Sequence, residues 1–185
     1  MNNVKLPTPS LKETSFAAAI MEALAPHVTI NDKCAQSTLN RLENEFLPRA
    51  LSIARNEGFD IAFSHFMVGI ILRLLSRPAE AESSFRRANK LQPGVLNTLH
   101  ELIRCLGEQG RDEEALVLAR EAVALASQEP DAWSNLAVAL AHCGHHEEAR
   151  CAIDKAALLD PNDSCIRNIR ENFDQYFNSS EMRIN

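Results

Sequence analysis

Aromatic residues make up only 5% of this 185-residue chain, with one Trp and one Tyr, and there are only six Gly. So few aromatics argue against strands, which favour aromatic and β-branched side chains. The Ala- and Leu-rich apolar content argues for helices. Cysteine occurs five times, at Cys34, Cys105, Cys143, Cys151 and Cys165, and no two form a CxxC pair. An odd, scattered set reads as reduced thiols in an intracellular protein, so the expected setting is cytoplasmic. No apolar run approaches the about 18 residues of a membrane span, and Ile70, Ile71 and Leu72 are broken by Arg73. The apolar run at 16–21 is short and interrupted by Glu22, so no signal peptide is expected. Positive charge is in deficit too. With 19 Lys plus Arg against 25 Asp plus Glu the net charge is −6, which offers nothing to nucleic acid or to an anionic membrane.

What is present is ordinary globular composition, 45% apolar and 24% charged, in a length that suits one domain. It is organised by a repeat. Three consecutive windows of 34 residues align: 62–95, 96–129 and 130–163. Ala81, Ala115 and Ala149 share one column, and Ala88, Ala122 and Ala156 another. Leu72, Leu106 and Leu140 share a third, Val68, Leu102 and Leu136 a fourth, and Phe85, Ala119 and Ile153 a fifth. The columns fall at spacings of three and four, the apolar stripe of a helix, twice per window. Alanine at two of them lets paired helices approach closely. Ser76, Gly110 and Gly144 occupy the turn between the two helices, and Pro93, Ser127 and Pro161 the break before the next window. Acidic residues open each second helix, where the helix dipole is positive: Glu80, then Glu113 and Glu114, then Glu147 and Glu148.

With these residues the sequence resembles the tetratricopeptide repeat (TPR) family. The third window carries the signature best, with Trp133, Leu136, Ala137, Leu140, Gly144, Ala149, Ile153, Ala156 and Pro161 in their places. The resemblance implies an all-α fold, a right-handed superhelix (α-solenoid) of stacked antiparallel helix pairs. Ile103 departs from the pattern where a small residue is usual, which predicts a slightly splayed second pair.

The flanks read as further helix. Residues 1–9 are expected to be disordered. Residues 10–61 are expected to hold N-terminal helices, with a capping box at Ser10 and Glu13 and a possible degenerate repeat over 28–61. Pro48 would sit inside a helix of that repeat, so a helix boundary is expected near it. Asp163 or Ser164 is expected to cap a terminal helix over 164–177, followed by a tail at 178–185.

Enzyme signatures are missing. There is no P-loop, GxGxxG or GxSxG, so no catalytic residue and no cofactor is assigned. His100-Glu101 and His146-Glu147 begin like a zinc-protease helix but end in Arg104 and Arg150, which cannot ligate zinc. His142, Cys143, His145 and His146 gather near Gly144, with Cys151 beyond, but a glycine turn breaks the helical spacing of His142 and His146. No metal site is expected. His65 and Trp133 read as core positions.

A binding surface is what the resemblance leaves. In the family the concave face is lined by the first helix of each repeat. The matching residues are Phe63, Phe66, Ile70 and Arg73, then Asn97, His100 and Arg104, then Asp131, Ser134 and Val138 with Asn135 and His142 alongside. The expected function is therefore a non-enzymatic interaction module that binds a protein or peptide. A dedicated bacterial secretion chaperone of the TPR class is the alternative. Phe63 and Phe66 are either a contact patch or a floor for the N-terminal helices. Arg104 either takes a carboxylate or pairs with Glu101 or Glu108 on its own helix. Family members that clamp the C-terminal carboxylate of heat-shock chaperones use cations at three of five positions. Here those five are Phe66, Ile70, Glu101, Asp131 and Asn135, with no cation and two acids, so that ligand is expected to be repelled. The first window carries five basic and two acidic groups, the second three and seven, the third two and six. Solvated outer faces explain this most simply, and a partner of mixed charge is the alternative. The oligomeric state is not set by the sequence.

Overall fold

The computed structural model describes residues 36–55 and 62–181. The expected disorder at 1–9, the capping box at 10–13 and Cys34 lie outside the described residues. The chain divides into two compact units, Met1–Gln92 and Pro93–Asn185. Among the described residues every regular element is helical, so the all-α expectation holds.

In the first unit, α1 (Gln36–Arg41) leads through a five-residue π-helix (Leu42–Phe46) into α2 (Leu47–Arg55). The sequence reading expected a break near Pro48, but the helix continues through it. The reason is the π-turn, in which the Leu47 N–H donates to the Leu42 carbonyl. It widens the backbone just ahead of Pro48, whose ring would otherwise meet a carbonyl of the preceding turn. Leu42, Phe46, Ala50 and Ala54 are buried along one side. The Arg41 guanidinium lies 5.2 Å from the Phe46 ring centre. The hairpin of α3 (Ala62–Leu74) and α4 (Pro78–Leu91) completes the unit. Pro78 starts α4 where its missing N–H has no partner to lose.

The second unit stacks α5 (Leu96–Glu108), α6 (Asp112–Leu125), α7 (Pro130–His142), α8 (His146–Leu159) and α9 (Ser164–Glu181). Helix α6 packs on α7, α5 also touches α7, and α9 closes the stack against α8. One core runs through it, from Leu99 and Leu106 through Ala115, Ala119 and Leu140 to Ile153 and Ile166. The α5 and α6 backbones come close at fewer positions than those of α7 and α8. That is the expected consequence of Ile103, which is buried where α7 has Ala137. Asp163 caps α9, its Oδ1 accepting from the Cys165 N–H at 2.7 Å and the Ile166 N–H at 3.0 Å. Helix α9 runs four residues beyond the expected end at 177, because no Gly or Pro follows Phe177 to interrupt its hydrogen bonds. Two ion pairs hold it to α8: Arg170–Asp154 at 2.8 Å and Arg150–Asp174 at 3.5 Å.

All three intra-repeat turns close in the same way. The N–H groups of Arg77, Arg111 and His145 donate to the carbonyls of Leu72, Leu106 and Leu140 at 2.9, 2.9 and 2.8 Å. The residue before each donor has positive φ: Ser76 at 58°, Gly110 at 70° and Gly144 at 80°. This is the Schellman arrangement, and it needs the left-handed conformation at that position. The repeated Leu column supplies the accepting carbonyl and the small column supplies the turn.

Candidate functional site

Side chains that neither enter the core nor pair locally are the ones free to bind. In the first unit, Phe63, Phe66, Ile70 and Arg73 all lie half-buried along α3. Phe66 is drawn inward: its ring centre is 5.6 Å from that of Phe85, tilted by 57°, and Phe85 is fully buried. Its cover therefore includes the second helix of its own hairpin, a partner the sequence reading had not weighed. His65 is half-buried beside them.

In the second unit, spacings of three and four carry Asn97, His100 and Arg104 along one side of α5. Asn97 and Arg104 are exposed and His100 is half-buried. On the adjoining α7, Asp131 and His142 are exposed, Asn135 and Val138 are half-buried, and Ser134 is buried. Ser134 therefore belongs to the core side of its helix. His142 is turned to the preceding repeat, its Nδ1 3.0 Å from Asp112 Oδ1. Of the two alternatives for Arg104, the pairing with Glu101 or Glu108 is not made: among the described residues Arg104 has no ion pair.

His100 is the centre of what remains. Burial pushes its imidazole below the ordinary value of 6.5, against the opposing pull of the Asp131, Glu129 and Glu101 carboxylates. Arg104 acts with burial. The ring is thus held neutral within a group of carboxylates, and its Nε2 is buried without a hydrogen-bond partner. Glu129 was not among the face residues expected from sequence, whereas Glu101 was named there as one of the five carboxylate-clamp positions. Only its nearness to His100 across α5 and α7 identifies Glu129.

Sequence reasoning also missed a repeated latch. Arg77 Nε and Nη2 donate to the two carboxylate oxygens of Glu80, each at 2.6 Å, and Arg111 does the same to Glu114. His145 stands 3.8 Å from Glu148 in the third turn. An Arg or His three residues before a Glu, at each turn, was the available signal. Trp133 also proves structural: its Nε1 donates to the Ser127 carbonyl at 2.9 Å, tying the inter-repeat loop to α7.

Among the described residues, no group of three His, Cys, Asp or Glu side chains is arranged to hold a metal. Cys143 is held above its ordinary value, first by partial burial and then by Glu113 and Asp112, so it is a weak nucleophile. No described helix is long and apolar enough to cross a membrane.

Residues 108–172 match the family model described as tetratricopeptide repeat. No curated protein matches the sequence. Among solved structures, a MamA RS-1 ArsTM double mutant is similar at 19% identity and a TM-score of 0.70, over 95% of this chain and 90% of that one. MamA 41-end from Desulfovibrio magneticus RS-1 is similar at 19% identity and 0.62, over 93% and 94%. The second TPR domain of human RPAP3, in complex with the HSP70 peptide SGPTIEEVD, is similar at 16% identity and 0.57, over 61% and 94%. At these identities the likeness is one of fold.

Proposed function

We propose that this chain is a non-enzymatic interaction module with tetratricopeptide repeats at 62–95, 96–129 and 130–163, and that it holds a peptide or helix of a partner protein on α5 and α7, the first helices of the second and third repeats. One observation carries the reading. Helices α5 and α7 lie against each other and bury Leu99, Leu106, Leu136 and Leu140, yet they leave Asn97, Arg104 and Asp131 exposed on their other side, with no ion pair among the described residues. The RPAP3 domain bound to a peptide shows that this fold can seat one. Among the described residues Cys105, Cys143, Cys151 and Cys165 form no disulfide, which suits a reducing, cytoplasmic setting.

The test maps contact without assuming the partner's chemistry. A photo-crosslinking residue replaces Asn97 in one variant and Val117, which is 66% exposed on α6, in another. After capture from native lysate, the partner is expected to crosslink from position 97 and not from 117. Crosslinking from 117 alone removes the assignment. The captured protein also separates two roles: a scaffold's partner is soluble by itself, and a secretion chaperone's client needs this chain to stay soluble.

A further inference from the structure

We propose that the outward side of α6 and α8 is a self-complementary face on which a second copy of this chain docks about a two-fold axis. Among the described residues four large apolar side chains are exposed, and three of them, Val117, Leu125 and Leu158, stand on these two helices. Val117 is 66% and Leu158 73% exposed. The two helices present this side together, because Arg120 Nη2 on α6 lies 3.6 Å from Glu148 Oε2 on α8. Apolar side chains gathered on one outward face mark a contact surface.

The repeat itself names the occupant. Spacings of three and four place Val117, Arg120, Glu121 and Ala124 in one stripe along α6, and Cys151, Asp154, Lys155 and Leu158 in one along α8. Lys155 is half-buried and the rest are exposed. Each residue of the first stripe stands 34 positions before its counterpart in the second, so the two stripes run level with each other. Charge is inverted between them: Arg120 matches Asp154, and Glu121 matches Lys155. Bulk is inverted as well, since Ala124 matches Leu158. A two-fold axis parallel to the helices and midway between them lays α6 of each copy along α8 of the other. It sets Glu121 against Lys155 of the second copy, and Ala124 beneath Leu158 of the second copy. Arg120 and Asp154 have partners in their own chain, Glu148 and Arg170. Glu121 and Lys155 have no ion pair among the described residues, so the docking gains this pair at both symmetry-related contacts without breaking another. The contact uses second helices only, and its failure leaves the binding reading on α5 and α7 untouched.

The test is sedimentation velocity of the full chain over a concentration series. The chain is expected to pass reversibly from monomer to dimer, and one still monomeric at about 1 mM overturns the proposal. Glu121→Lys alone and Lys155→Glu alone each set like charges across both contacts, and each is expected to weaken the dimer about tenfold. An equimolar mixture of these two variants restores opposite charges at both contacts and is expected to dimerise within about threefold of the unmodified chain. An undiminished dimer in either single variant, or no recovery in the mixture of two variants that circular dichroism shows to be folded, overturns the proposal. A second measurement needs no charge change. The photo-crosslinking residue at position 117 is expected to join two copies of this chain, with the crosslink mapping to α8 of the second copy. Its attachment to another protein, or to no protein, overturns the proposal.

Discussion

A Cβ built on Gly69 would lie 2.5 Å from Cε1 of Phe85, nearer than carbon atoms can stand. The close approach of α3 and α4 thus depends on a missing side chain facing a large one. In the second repeat the sizes are exchanged, with Ile103 at the Gly69 position and Ala119 at the Phe85 position, both buried.

Gly69→Ala is therefore expected to destabilise the first unit by about 1–3 kcal/mol through overpacking. Phe85→Ala alone is expected to cost about 3–5 kcal/mol. Combined, the two should cost less than their sum, since the alanine at 85 makes room for the one at 69. Chemical denaturation of the three variants checks this, and strict additivity would show that the two residues do not compete for space.

The three turns predict changes of opposite sign. Ser76 holds φ 58° with a side chain, while Gly110 holds 70° with nothing within 4 Å of its would-be Cβ. Ser76→Gly is expected to stabilise by about 0.5–1 kcal/mol, because it relieves the left-handed conformation. Gly110→Ala is expected to destabilise by about 1 kcal/mol for the same reason reversed. Thermal midpoints that move the same way in both would contradict the backbone account.

The Arg77 guanidinium, through its hydrogen bonds, holds the Glu80 carboxyl below its ordinary value of 4.5. A depressed carboxyl stabilises the fold above its unfolded value, and the contribution is lost as pH falls through the folded one. In an NMR titration Glu80 is expected to protonate below 4.5, and Arg77→Gln should move the midpoint back up. A midpoint indifferent to Arg77→Gln would remove the latch.

His100 titrates below 6.5 for a different cause, its burial. The unfolded chain then takes up the proton first, so the stability linked to this group is full above 6.5 and declines as pH falls toward the folded value. The thermal midpoint is expected to drop as pH falls below 6.5, and His100→Gln should flatten that drop. Profiles that overlay would mean the imidazole is not held neutral.

The helix pairs were legible in the sequence because each is made by short-range contacts. The Ala81, Ala115 and Ala149 column marks seams that are indeed buried, and Gly110 and Gly144 mark turns whose hydrogen bonds span five residues. Ile103 announced the looser second pair for the same reason. Pro48 misled, because a proline rule written for regular helices does not foresee a π-turn immediately before it.

The site was less legible. Periodicity identified the side of α5 and α7 that carries Asn97, Arg104 and Asp131, but not the fate of each side chain on it. Ser134 joins the buried side, His142 pairs with Asp112 thirty residues away, and Phe66 packs on Phe85. By itself the sequence determined the repeat, the paired helices and the closed turns, since hydrogen bonds and apolar spacing within 34 residues are enough for these. Only the tertiary structure decided that Glu101 and Glu129 join Asp131 around a neutral His100. Which charges meet across two helices depends on how those helices pack, and no spacing along the chain encodes that.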